Sequence, residues 1–539
     1  MRSSHAASVP LLVGCLATLS AGCATTRPGG HAAVEERSLA GLGHELASGR
    51  TTSVALVDAY LERIDRVDRK GPALRSVLAV NPAARDQARA LDEERAAGRI
   101  RGPLHGIPLL VKDNVETADP LPTTAGSLAL AANVTGRDAP LVARLRDAGA
   151  IVLGKTTLSE WANIRSMHST SGWSAVGGLT RSPHALDRNA CGSSTGSAVA
   201  VAASLAAGAV GTETDGSITC PASLNGVVGL KPTVGLVSRT HVVPISHSQD
   251  TAGPMARTVE DAALLLAAMA GTDPADRATA EADARKRDYV AALDPGALRG
   301  RRIGVMRWRT GDLPEVDALF DRALGVLRGA GAELVDVAES GVPEELGALE
   351  LQILLTELHA DLDAYLATTP AAVKTRTLAD VIAFNAEHAR AELPLFGQDL
   401  FEKSVAAKGL SDPEYVKALE RARRMAGADG IDRLLRENRV TMLVGPSTGP
   451  AWMTDLVNGD QTVDGSSSAL PAIAGYPHLS VPMGEVKGLP VGLSFIGPAW
   501  SEAELLGCGY AYEQLARARP IPTYAPTARV EVPAPQPAR

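Results

Sequence analysis

Apolar residues along this chain alternate between helical and strand-like spacing. From Ser53 to Arg69, Val54, Val57, Leu61, Ile64 and Val67 recur three or four positions apart. That spacing predicts an amphipathic helix, and Gly71-Pro72 ends it. Asn81-Pro82 fits an N-cap followed by proline at the first helical position, with Gly98 closing that helix. Leu104 to Val111 is a short apolar run broken by Gly106 and Pro108. It predicts a strand that delivers Lys112-Asp113-Asn114 at its end. Leu141 to Gly149 predicts a helix and Ile151 to Gly154 a buried strand. Ser197 to Ala207 is apolar on all sides, as a helix enclosed in the core would be.

Further along, Val227 to Leu230 and Gly235 to Ser238 are strand-like. Thr258 is placed to cap a helix from Val259 to Met269, with Glu260 and Asp261 in the first turn, where the helix dipole favours acids. A strand is expected at Arg302 to Met306, a helix from Val316 to Gly329, and a strand at Glu333 to Val337. Residues 345–424 are more charged and largely helical in pattern, which suggests an insertion or lid. Strands follow at Met442 to Pro446, His478 to Pro482 and Leu493 to Gly497, then a helix from Ser501 to Arg517. Residues 520–539 are proline-rich and predict an extended tail over the surface. The alternation argues for an α/β fold with a central sheet, and for one domain over residues 38–519.

Composition narrows the class. The 539 residues carry a net charge of −8, spread without long runs of one sign, and 45% are hydrophobic. Aromatic residues make up 3%, too few for a surface that stacks bases, and no basic stripe marks a nucleic-acid binder. At the N-terminus, Arg2 precedes an apolar run from Val9 to Leu19 that is too short to span a bilayer. Ser20-Ala21-Gly22-Cys23 follows and is similar to a lipobox, apart from Ser20 at a position where leucine is usual. Residues 1–23 are thus expected to be an export signal, with Cys23 the lipidated residue or an ordinary cleavage site beside it. Residues 24–37 are expected to be a flexible tether, and the protein to be periplasmic or membrane-anchored. Cys191, Cys220 and Cys508 then remain, with no zinc-like spacing, and are expected to be small buried residues.

Two glycine- and serine-rich loops carry the candidate chemistry. The first is Cys191-Gly192-Ser193-Ser194-Thr195-Gly196-Ser197, and the second Gly211-Thr212-Glu213-Thr214-Asp215-Gly216-Ser217. Small residues let backbone approach a reacting atom, and serines can serve as nucleophile and proton relay. The turn before Ser217 can aim successive N–H groups at one oxyanion. Lys112, at the end of an apolar strand, can lose its proton if it is desolvated and so act as a base. Taken singly, each feature has a plainer reading. Ser217 fits a simple turn or a phosphate nest, Ser193 or Ser194 a helix cap, and Lys112 a surface lysine.

Together they resemble the amidase signature enzymes. Leu104-His105-Gly106-Ile107-Pro108 through Asn114, the two loops, Gly226 to Pro232, Asp250 to Arg257, and Gly475-Tyr476-Pro477 with Gly492-Leu493 match that family's blocks in order. The resemblance runs from about Ser53 to Arg517. It implies a large mixed central sheet flanked by helices on both faces. It also implies Ser217 as nucleophile, Ser193 as the relay on a cis peptide bond, and Lys112 as general base. The N–H groups of Thr214, Asp215, Gly216 and Ser217 would form the oxyanion hole. Hydrolysis of a linear carboxamide through an acyl-enzyme is expected, with no metal or cofactor, no nucleic-acid partner, and a monomer. Trp161-Ala162-Asn163, Ser171 to Ser174 and the T-E-T-D-G-S form look most like bacterial peptide amidases, which remove C-terminal amides.

Two rivals remain on sequence. Gly192-Ser193-Ser194-Thr195-Gly196 matches G-x-S-x-G, the nucleophile elbow of α/β-hydrolases, centred on Ser194. That motif needs a strand just before it, and His184 to Ala190 is polar and turn-like. The amidotransferase subunits of tRNA-dependent glutamine and asparagine synthesis share the blocks, but they work in the cytoplasm with partner chains.

Overall fold

The computed structural model describes Met1, residues 34–462 and residues 465–529. The expected export signal with Cys23, most of the tether, and the last ten residues of the tail lie outside the described residues. Eleven strands form one sheet: β1 (Val77–Val80), β2 (Pro108–Lys112), β3 (Ile151–Thr156), β4 (Gly208–Glu213), β5 (Val228–Lys231), β6 (Thr251–Ala256), β7 (Arg302–Met306), β8 (Glu333–Val337), β9 (Met442–Pro446), β10 (His478–Val486) and β11 (Leu489–Ile496). Their spatial order is β1-β3-β2-β4-β6-β5-β10-β11-β9-β7-β8. The sheet is mixed. β2 runs parallel to β3 and β4, and β7 parallel to β8 and β9, while the strands between these groups pair antiparallel.

Strands β2 to β6, β9 and β11 are buried along their whole length, so helices and loops cover both faces of the central sheet. The helix Thr195–Ala202 is buried at every position, as its all-round apolar sequence predicts. It ends at Ala202, five residues short of the expected end, because the chain must turn there to enter β4. The Thr258 side chain accepts from Asp261 N and caps the helix Val259–Met269 as expected. The helix after Asn81 begins at Ala84, since Asn81 Oδ1 accepts from Ala83 N at 2.9 Å and closes a turn first.

Other expectations need correction. Gly235 to Ser238 form a turn, not a strand. Residues 34–37 of the expected tether are packed: Val34 is buried, Glu35 pairs with Arg63 and Arg66, and Glu36 pairs with Arg519. Cys191 and Cys220 are joined by a disulfide, and only Cys508 stays free and buried among the described residues. Spacing along the chain carries no sign of this pairing, because only the fold brings the loop residue Cys191 against Cys220 in the helix Thr219–Leu224. Residues 345–424 do form helices, at Leu346–Ala367, Leu378–Glu387, Ala389–Glu392 and Asp399–Val405, with Pro413–Ala426 closing the group. Among the described residues no helix is long and apolar enough to cross a membrane.

Candidate active site

Parallel pairing of β2 with β4 sets Val111 beside Val210, so both strands end at the same edge. Carboxyl ends of neighbouring parallel strands are where α/β sheets place their ligands. Here β2 ends on Lys112, and β4 runs out through Thr212 and Glu213 into the loop that carries Ser217. The loop before the helix Thr195–Ala202 brings Ser193 between them. The Gly192–Ser193 peptide bond is cis.

Lys112 is fully buried, and its Nζ donates to Ser193 Oγ at 2.8 Å, to Thr212 Oγ1 at 2.8 Å and to Thr212 O at 3.2 Å. Burial pushes this amine down to about 7, against the opposing pull of the Asp250 and Glu213 carboxylates. The three acceptors orient it without adding a charge in contact. Ser217 lines the same cavity as Ser193, together with Asn114, Thr212, Thr214 and Asp250 on its polar side and Val242, Val243 and Ile245 on its apolar side. The cavity is partly open to solvent, and about 20 Å³ within it admits water-sized groups.

The remaining serines of the first loop have structural partners. Ser194 Oγ donates to Thr212 O at 2.9 Å and accepts from Thr212 N at 3.1 Å, while its own N–H donates to Ser217 O at 3.0 Å. Ser197 Oγ donates to Val210 O at 2.9 Å. Ser194 therefore stitches the two loops together and has no reach toward a substrate, which removes the nucleophile-elbow reading. Of the doublet, Ser193 alone meets the lysine.

The loop that carries Ser217 is held from both sides. Glu213 Oε2 accepts from Ile218 N at 2.7 Å and Thr219 N at 2.9 Å, capping the helix Thr219–Leu224. Thr214 Oγ1 donates to Asp250 Oδ1 at 2.6 Å. Gly216 takes φ +76°, a turn that a side chain rarely allows, and Ser468 sits against it. Among the described residues, the N–H groups of Asp215, Gly216 and Ser217 donate to no backbone carbonyl. Sequence reasoning missed the parts played by Glu213, Asp250 and Asn114. Asn114 Nδ2 donates to Thr212 Oγ1 at 3.0 Å. All three lie inside the quoted blocks, but only the fold shows which atoms they hold.

A family model described as "Amidase" matches residues 55–506. The chain belongs to the amidase family, and it is an amide-hydrolysing enzyme. A peptide amidase from Stenotrophomonas maltophilia is 51% identical, with a TM-score of 0.86 over 91% of this chain and 99% of that one. A peptide amidase solved with the competitive inhibitor chymostatin is 52% identical, with a TM-score of 0.87 over 90% and 99%. A probable amidase of Arabidopsis thaliana is 40% identical over 88% of this chain and 89% of its own length. A glutamyl-tRNA(Gln) amidotransferase component from Halorhodospira halophila is 38% identical over 89% and 98%.

Proposed function

We propose that this enzyme hydrolyses unsubstituted carboxamides, in particular the C-terminal amides of peptides, through an acyl-enzyme on Ser217. The observation that carries the proposal is the buried Lys112 amine, bonded to Ser193 beside Ser217. Ser217 Oγ attacks the amide carbon, and its proton passes through Ser193 to the neutral Lys112 amine. The oxyanion that forms is received by the N–H groups of Thr214, Asp215, Gly216 and Ser217. The lysine proton then returns through Ser193 to the leaving nitrogen, and ammonia departs. Water attacks the acyl-enzyme by the same relay, releasing the acid and restoring Ser217.

Support for peptide amides comes from the identity of about one half to the two peptide amidases. The test is ammonia release from a panel of peptide amides, aryl amides and fatty amides. Peptide amides are expected to give the highest kcat/KM. A higher value for aryl or fatty amides would move the substrate class, and ammonia release by Ser217→Ala would overturn the mechanism.

We also infer export as a monomeric lipoprotein anchored at Cys23. The Cys191–Cys220 bridge supports an oxidising compartment, and the proposed site residues all come from one chain. Tagged palmitate should label the wild type in cells and leave Cys23→Ala unlabelled. Equal labelling of both would sink the anchor.

A further inference from the structure

The helix Leu346–Ala367 is fastened over the active site by three acidic side chains on one of its faces. Asp361 accepts from His247 N at 2.8 Å and meets the His247 ring at 2.9 Å. Glu357 accepts from Ser248 N at 3.1 Å and from the Tyr415 hydroxyl at 2.7 Å, and it also pairs with the Ser246 hydroxyl. Both hold the loop that supplies Asp250. Glu350 differs, because it reaches the nucleophile loop itself. Its Oε1 accepts from Gln249 Nε2 at 2.8 Å, and the same amide nitrogen lies 3.5 Å from Thr214 O. Its carboxyl also meets that of Asp215, two residues before Ser217, and Asp215 interacts in turn with Ser468. Asp215 Oδ1 is enclosed and has no hydrogen-bond partner among the described residues.

We propose that Glu350 is a positioning residue, which shares one proton with Asp215 and so fixes the backbone that receives the oxyanion. This rests on the reading of Ser217 as nucleophile. Two carboxyls in contact cannot both ionise without strong repulsion. Burial first, and the Asp215 charge second, push Glu350 up to about 9. The other charges near the pair are buried Lys231, which attracts Asp215, and Glu213, which repels it. Asp250 stands on the far side of Thr214. With the shared proton, the pair carries one negative charge and a hydrogen bond ties the helix to the loop. Without it, two negative charges face each other next to the site where a third must develop. Acyl transfer should then slow, although Lys112 is already neutral.

The experiment is kcat and KM against pH, on a peptide amide, for wild type, Glu350→Gln, Glu350→Ala and Asp215→Asn. Wild-type kcat is expected to fall above about pH 9. Glu350→Ala should lose about tenfold or more in kcat with KM little changed. Glu350→Gln keeps a donor that cannot ionise, so it should recover kcat to within about threefold and lose the alkaline fall. In Asp215→Asn the fall should also disappear, because ionised Glu350 would then be the one negative charge of the pair, as in the working wild type. A Glu350→Gln enzyme that keeps the alkaline fall overturns the proposal, as does a Glu350→Ala enzyme that matches wild type at every pH. If Glu350→Ala fails to fold, the other two variants decide. Ser217→Ala, assayed alongside, separates this outcome from failure of the nucleophile assignment, since retained activity there would strike only the latter.

Discussion

Lys112 is a buried cationic residue type with no carboxylate in contact, only two hydroxyls and a carbonyl. Its amine is held down to about 7, so the neutral form that the proposed base needs is lost as pH falls through that value. The expected result is a kcat/KM that drops about tenfold per unit below about pH 7 and is level from there to about pH 9. A rate that stays flat to pH 5 would rule out a lysine base. Lys112→Ala should cost about 10³-fold or more in kcat, read best in single-turnover acylation. The serine doublet gives a second test at this scale. Ser194→Ala leaves Thr212 N and O short of a partner and should cost about 1–3 kcal/mol in urea unfolding, while an acyl-enzyme still forms. Ser217→Ala should form none, as mass spectrometry of the trapped intermediate would show. In the sequence these residue types are visible only as candidates. A serine before a helix is more often a cap, and residue type does not say which of two adjacent serines turns inward. The family blocks point to Ser193, and the lysine contact supplies the physical reason.

At the scale of elements, the strands with strong β-branched and aliphatic runs are legible to the residue. Arg302 to Met306, Glu333 to Val337 and Met442 to Pro446 stand where the pattern puts them. β4 and β6 do not stand out as strands in the sequence, and the cause is packing. Both are rich in glycine and alanine, because neighbouring atoms, side chains around β4 and backbone beside β6, come too close for larger side chains. A Cβ on Gly253 would lie 2.0 Å from Leu230 O. The same closeness governs the start of the helix Thr195–Ala202. A Cβ on Gly196 would lie 2.5 Å from Ser76 O and 2.6 Å from Thr157 N, both backbone atoms with nowhere to go. Gly196→Ala should therefore destabilise by about 1–3 kcal/mol and displace the loop that carries Ser193. Equilibrium unfolding measures the first effect and kcat the second. An alanine enzyme of wild-type stability would contradict this account of the loop.

For the whole molecule, the mixed sheet follows from alternation along the chain and from the family blocks, whereas the contacts that lock distant segments do not. The Cys191–Cys220 bridge closes a separation of 29 residues between the loop of Ser193 and the helix after Ser217. Chain entropy alone assigns such a loop roughly 3–4 kcal/mol. Replacing both cysteines by alanine should lower stability by up to about that amount, and should lower kcat more than it raises KM, because both site loops lose a shared tether. Unchanged melting after the double substitution would show that packing alone holds the loops.

The ion pair between Glu36 and Arg519, near opposite ends of the described chain, has a consequence for handling the enzyme. It ties the stretch ahead of the first helix, Leu39–Ala47, to the stretch that follows the last one, Glu502–Ala516. A truncation that removes either partner thus loosens the stretch that holds the other, so a shortened version of the enzyme should keep both Glu36 and Arg519.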